Sequence, residues 1–411
     1  VNFTALHRAL GRPPSTITEE LLDEAVDEGV METDDLDWKT KLPPRKNLAQ
    51  NDFPKDVAAM ANAGGGVIIY GVEEVQKAAT RRTDAGELGE IHERALRSAA
   101  YTAISPPVMG LKIYRLGDEG HRAVIVEIPA STEGPHLIYR QDLFGAPKRN
   151  DADTVWMRER EIEVAYRARF EERRRGDEAL AGLYDEAAAG RGDDRAWLIA
   201  VARPRFPHIG APIARHAIGD LFNRISTAAP TWSTNQVTHP ISKCDFFAPR
   251  PGLRRWVAPD RGTRDNRETW ASVHHDGSAT LVTTAGGHSR REGNFEPHQI
   301  ESSAIELGVV DFLALAWSTA EKYGLDEYDV RMGLVWSGKE PLRVWTVDSV
   351  GDLTDQYSTP LWRYTPVDAT LNLQTTLEDF QSDVYEFAVT CVNQTGLRGL
   401  RWTRSPDKSF D

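Results

Sequence analysis

Around Glu32 the chain reads METDDLDWKTK, and further on DVAAMANAGGGVIIYGVEE up to Glu74. Glu32, Asp34, Asp35 and Asp37 open the segment. Lys39 follows Asp37 by two residues, glycines interrupt the run, and Glu73-Glu74 closes an apolar stretch. Carboxylates on neighbouring strands hold Mg²⁺ or Mn²⁺, hard cations that take oxygen ligands and leave positions open for a substrate phosphate. Residues two apart on a strand share a face, so Lys39 can meet such a phosphate or pair with its acidic neighbours. Spacing alone leaves open a plainer arrangement, in which the acids are a solvated helix end and a strand tip.

Other motifs read as architecture. Gly64-Gly65-Gly66 is not followed by the Gly-Lys-Ser/Thr of a phosphate loop. It comes after a helical pattern and before a strand, the reverse of the order that aims backbone amides at phosphate. A tight turn is expected there, with Asn62 as a helix C-terminal residue. His274-His275-Asp276 would place its two imidazoles on opposite faces of a strand, so a hairpin tip is expected rather than a metal site. His216, His288 and His298 have no partners at ligand spacing. Most of the eleven tryptophans lie in apolar patterns and belong to cores. Trp256, beside Arg254-Arg255, is the candidate for stacking on a base. A Ser-His-Asp arrangement is not legible, because its partners are not local in sequence.

The acidic segment resembles a known family. Asp37-Trp38-Lys39 is similar to the acidic–aromatic–lysine strand of the Schlafen AlbA_2 domain. Residues 56–66, DVAAMANAGGG, resemble its AFANTxGG signature, and residues 67–74, VIIYGVEE, the strand that follows. Gly134-Pro135-His136 and Ala146-Pro147-Lys148-Arg149 fall where that family has its later strands. The four motifs occur in the family's order within residues 1–170. The resemblance implies an α+β fold, a mixed sheet with flanking helices. It also implies a metal-dependent RNA endonuclease using three acids, whose positions here are Glu32, Asp37 and Glu74. Asp37 stands where the family more often has Glu, and Glu74 where it more often has Asp. By the same resemblance Mg²⁺ or Mn²⁺ is the cofactor, Lys39 contacts phosphate, and structured RNA such as tRNA is the substrate, with phage defence as a bacterial role. A non-catalytic nucleic-acid-binding or regulatory protein is the alternative, and an interaction module with a surface acidic cluster a third. The family's zinc site is missing, since Cys244 and Cys391 are the only cysteines.

Elements must bring these residues together. Helical patterns cover 17–29, 53–63, 87–103 and 158–175, and strand patterns 36–41, 67–72, 112–116, 123–128, 137–139 and 155–157. The Ala-, Gly- and Asp-rich stretch 176–194 predicts a linker between a domain at 1–175 and one at 195–411. The second reads as α+β: a strand over 196–203, a hairpin at 270–284 turning on Asp276-Gly277, an amphipathic helix over 305–323, strands at 330–336 and 342–347, a helix over 377–393 and a last strand at 400–404. Recognition or homo-oligomerisation is its expected role.

A formal net charge of −13 argues against a protein that coats nucleic acid, because phosphate neutralisation supplies most non-specific affinity. An RNA ligand therefore requires a local basic groove, for which Lys39, Arg45, Lys46, Lys148 and Arg149 are the candidates. No apolar run reaches the length of a bilayer span. The start, VNFTALHRALGRPP, lacks the basic-then-apolar form of a secretory signal. Two distant cysteines suggest reduced thiols, and together these features predict a cytoplasmic protein without a membrane partner.

Overall fold

The computed structural model describes residues 3–406 except 141–142, 190–192, 209, 235–238, 263–266, 290–293, 348–352, 374 and 398. The chain divides into two units, Val1–Arg174 and Arg175–Asp411.

The first unit begins with α1 (Ala5–Ala9) and α2 (Glu19–Asp27). Thr18 caps α2 by accepting from the Leu21 amide, and Leu21, Leu22 and Ala25 form its buried stripe. Then follow β1 (Leu36–Lys39), α3 (Phe53–Ala61), β2 (Gly66–Tyr70), β3 (Val72–Val75), β4 (Ala78–Arg82) and α4 (Glu90–Thr102). Next come β5 (Ile104–Ser105), β6 (Lys112–Leu116), β7 (Ala123–Ile128), β8 (Leu137–Arg140), β9 (Leu143–Gly145), β10 (Pro147–Asn150) and β11 (Asp153–Trp156).

The central sheet has the order β1-β2-β7-β6. β1 and β2 are parallel, with Asp37 opposite Ile68 and Lys39 opposite Tyr70, and α3 is the crossover between them. β2 is apolar at every position because both its faces are covered. Ile68 and Tyr70 pack with Val57 and Met60 of α3 and Leu96 of α4. Val67 and Ile69 pack with Leu6 of α1 and Leu22 of α2. The result is three layers with β1 at an edge.

The glycine run makes the expected turn between α3 and β2. Gly64 and Gly65 have φ of +103° and +93°, which L-residues with a Cβ avoid. A Cβ on Gly65 would lie 2.7 Å from the Ile128 carbonyl oxygen.

Beyond β11, α5 runs from Glu159 to Ala188. Residues 176–188, expected as linker, are therefore helical. Leu180 and Tyr184 give this stretch the apolar face that its Ala/Gly content hides, buried against Trp197, Ile199 and Val201. The division of the chain falls inside the helix, at Arg174/Arg175; residues 190–192 of the expected linker lie outside the described residues.

The second unit continues through β12 (Trp197–Pro204), α6 (Arg215–Trp232), β13 (Arg250–Gly252), β14 (Arg255–Ala258), β15 (Thr269–His274) and β16 (Ala279–Thr284). β17 (Gln299–Glu301), α7 (Ser302–Tyr323), β18 (Glu327–Val335), β19 (Arg343–Val347), β20 (Leu353–Tyr357), β21 (Val367–Asn372) and α8 (Gln381–Asn393) complete it. A seven-stranded antiparallel sheet, order β13-β14-β15-β16-β12-β18-β21, carries the core. The Asp276-Gly277 hairpin is present between β15 and β16. α7 is not amphipathic as expected. It is the central helix of the unit, long and apolar enough to cross a bilayer but with 94% of its apolar window buried inside the fold. The strand expected at 400–404 is reduced to one bridge, Thr403 to Ser233.

Candidate functional site

Asp37 projects from the edge strand β1 toward the face that α3 covers, while Trp38 turns to the other face and donates its indole N–H to the Val30 carbonyl. At 2% exposure Asp37 is not the solvated acid that spacing alone allowed. Its Oδ2 lies 2.5 Å from Lys39 Nζ. At that distance the Lys39 ammonium is the charged partner of Oδ2. Its Oδ1 is 3.2 Å from Arg149 Nη1, and Arg149 Nη2 also donates to the Thr33 carbonyl at 3.1 Å.

Glu32 lies on the approach to β1. Its Oε1 accepts from the Trp38 amide at 3.1 Å, and its own N–H donates to the Lys77 carbonyl at 2.7 Å. The Lys77 amide donates to Glu74 Oε2, also at 2.7 Å. Glu74 is thus held at the turn of the β3–β4 hairpin, exposed, across from Glu32. Burial raises the Glu32 carboxyl above its ordinary range, and the nearby charges of Asp37 and Glu74 raise it further. Glu32, Asp37 and Glu74 therefore share one electrostatic neighbourhood.

The structure adds Asp56, in the first turn of α3. It is 8% exposed and 3.9 Å from Lys55 Nζ. Burial and then Asp37 push its carboxyl up to about 6, with Lys39 and Lys55 opposing. Burial alone would lower Lys39, but Asp37, Asp56 and Glu32 outweigh it and keep the ammonium above its ordinary range. The Tyr70 phenol is raised by burial, then by Asp56 and Asp37. Lys39 thus stands among three carboxylates, Asp37, Asp56 and Glu32. Asp56 escaped the sequence reading because it sits in a glycine-terminated apolar helix; the signal for it is a lone acid on the buried side of DVAAMA.

The basic residues separate. Arg149 reaches the site, but as the 7%-exposed partner of Asp37, not as an outward phosphate contact. Its neighbour Lys148 points to the other side of β10 and pairs with Glu161 at 2.5 Å. Arg45 and Lys46 are exposed in the loop after β1. Trp256 is not free to stack on a ligand: it packs on the second unit's core and donates to the Ile213 carbonyl.

Asn62 ties the region together. Its Nδ2 donates to the carbonyls of His136 (3.0 Å) and Pro147 (2.7 Å), and its Oδ1 accepts from the His136 amide (2.7 Å). The end of α3 is thereby fixed to the starts of β8 and β10, so Asn62 does more than terminate a helix.

The three carboxylates Glu32, Asp37 and Glu74 are oxygen donors of the kind that suits Mg²⁺ or Mn²⁺, although Asp37 Oδ2 already has Lys39 Nζ at 2.5 Å. Among the described residues, however, no three His, Cys, Asp or Glu side chains converge as a ligand set.

Away from this site, the second unit contains a Ser-His-Asp chain that sequence could not reveal. Ser233 Oγ is 3.1 Å from His239 Nε2, and His239 Nδ1 is 2.6 Å from Asp311 Oδ1. Ser233 is 2% exposed and Asp311 fully buried, so the chain joins the end of α6 to α7 inside the core. Cys244 and Cys391 are free, buried thiols.

A three-layer α/β unit with an acid cluster at its sheet edge is the setting in which the comparisons fall. Residues 32–162 match the family model Schlafen, AlbA_2; the first unit carries a Schlafen AlbA_2 domain, as the four motifs indicated. Among solved structures, the chain is similar to the N-terminal domain of a RecG-related protein from Nitrosomonas europaea. Identity is 16% over 34% of this chain and 90% of that one, with a TM-score of 0.25. It is also similar to the DIP2311 protein from Corynebacterium diphtheriae, at 15% identity over 51% of this chain and 38% of that one, with a TM-score of 0.24. Both likenesses are too distant to place a residue. No curated protein matches the chain.

Proposed function

We propose that the first unit binds nucleic acid and hydrolyses RNA phosphodiesters at the Glu32–Asp37–Glu74 cluster. The Schlafen AlbA_2 domain, a nucleic-acid-associated family, supports nucleic acid as the partner class. The observation that carries the catalytic reading is the buried Asp37, with Lys39 at 2.5 Å and further acids around it. Burying like charges together costs stability, and such clusters gather at functional sites.

Glu32, Asp37 and Glu74 would hold Mg²⁺ or Mn²⁺, which when bound activates water and neutralises phosphate charge. Arg149 positions Asp37 by fixing Oδ1. Lys39, the partly exposed cation of the cluster, offers its ammonium to a phosphate oxygen and stabilises the charge that builds up on phosphorus oxygens during attack. Exposed Arg45 and Lys46 would track the backbone. Structured RNA such as tRNA is the first substrate to try.

A second reading has its own support. Asp37 already faces two cations and no ligand set is assembled among the described residues, as suits a domain that binds without cutting. Incubation of the full chain with total RNA, tRNA and DNA, in Mn²⁺ and in EDTA, separates the two. Cleavage in Mn²⁺ that EDTA and Glu74→Ala both abolish supports hydrolysis. Binding without cleavage supports the second reading. Full cleavage by a folded Glu74→Ala protein removes Glu74 from the mechanism.

A further inference from the structure

The β8–β9 hairpin carries aromatic rings in the open. Tyr139 and Phe144 are cross-strand partners, 54% and 61% exposed, with ring centroids 5.7 Å apart and planes tilted by 32°. The opposite face carries Leu143, 77% exposed, and the Trp156 ring, which lies against Gly145 so closely that a Cβ there would be 2.8 Å from it. A soluble fold gains nothing from holding two rings open to water side by side; each would contribute more if buried.

We infer that Tyr139 and Phe144 form a stacking platform for unpaired nucleobases, so that the substrate class of the first unit is single-stranded or looped nucleic acid. This rests on the nucleic-acid reading above and refines it. The platform shares the Asn62 anchor with the strand that holds Asp37. Asn62 fixes the roots of both β8 and β10, and two residues into β10 Arg149 holds Asp37. Tyr139 lies three residues beyond the His136 anchor, about 10 Å of strand. Phe144 and Arg149 lie five residues apart on one run of chain, at most about 18 Å between their Cα atoms, so a strand whose phosphate lies near Lys39 would bring bases a few nucleotides away to the rings.

Size decides between a base and a protein as the occupant. Two such rings, roughly half exposed, offer on the order of 200–300 Å². A stable protein interface needs about 800 Å² from each partner. A flat nucleobase matches the smaller area and stacks whatever its sequence. The platform also answers the −13 charge, because stacking adds affinity to what a few basic residues supply by phosphate neutralisation.

The test uses the full chain in EDTA, which prevents cutting, with a labelled single-stranded oligonucleotide, an abasic strand of the same length and a duplex. The base-bearing strand should bind tighter than the abasic strand by about 5- to 150-fold, the worth of one stacked base. Tyr139→Ser with Phe144→Ser should remove that preference while leaving residual, salt-sensitive binding. Equal binding of base-bearing and abasic strands overturns the platform and leaves the nucleic-acid reading standing, as does an undiminished preference in the double variant. Binding of neither strand, nor of duplex, overturns both. A change of sedimentation in the variant with strand binding unaltered overturns the platform in favour of self-association.

Discussion

Replacing Arg149 by Met tests whether its guanidinium holds Asp37 or meets a phosphate. The side chains of Arg149 and Asp37 are 3% and 2% exposed. Removing one partner of a buried pair costs about 3–5 kcal/mol, because the other charge is left in a poor environment. Lys39 remains at 2.5 Å, which puts the expected cost of Arg149→Met near the lower end, about 3 kcal/mol. For a unit of this size each kcal/mol lowers Tm by about 2–4 °C, so the first unit should melt roughly 6–12 °C earlier. Adding Asp37→Asn should recover part of the loss, because it removes the stranded charge. The assay is calorimetry on the full chain, following the transition that these variants move. The slope of log affinity for RNA against log salt should be unchanged by Arg149→Met, and charge reversal at the exposed Arg45 and Lys46 should flatten it. A phosphate-contacting Arg149 would give the opposite pair of results: under about 1 kcal/mol of destabilisation and a slope reduced by about 1. That outcome would refute its role as the holder of Asp37.

Two further outcomes follow from the same neighbourhood. The Asp56 carboxyl is raised from its ordinary 3.8 to about 6, so the folded state binds the extra proton. Its contribution is fully present below about pH 4 and is lost as pH rises through 6, about 3 kcal/mol in all. Asp56→Asn should flatten that limb of the stability–pH curve, and an identical limb in the variant would show that Asp56 is not desolvated. Asn62→Ala strands the His136 amide and the carbonyls of His136 and Pro147. Denaturant titration should show a loss of about 2–4 kcal/mol, and hydrogen exchange should rise at β8 and β10; a change under about 1 kcal/mol would mean that water replaces the amide.

Local rules carried the sequence reading a long way in the first unit. The three glycines act through their own backbone, so the turn into β2 was legible, and the helical spans 17–29 and 53–63 hold α2 and α3. The apolar run of β2 announced a strand covered on both faces. The motif order gave the family, and with it Glu32, Asp37 and Glu74 as neighbours. Local composition failed where a partner far along the chain decides. Residues 176–188 look like linker, but Leu180 and Tyr184 find Trp197 and Ile199, and burial turns a low-complexity stretch into helix. α7 looked amphipathic because its few polar residues fall in a pattern. Several of those residues are buried and bonded: Asp311 to His239, and Glu306 to the backbone amides of 401–403.

Charge and exposure were also beyond the sequence. Lys148 and Arg149 are adjacent and identical in sign, yet strand alternation sends one to Glu161 and the other into Asp37. Asp56 acquires its raised carboxyl only because the crossover lays α3 over β1. Trp256 drew attention by its arginine neighbours and is packed on a core, whereas Tyr139 and Phe144 became neighbours only through the β8–β9 register. The sequence by itself determined the glycine turn and the strands β1, β2, β6, β7 and β8 of the first unit, because those depend on residue type and spacing, but it did not announce the β3–β4 hairpin, β5 or β9. The tertiary structure alone decided which charges neutralise one another and which rings stay open, because both depend on long-range contacts that exclude water.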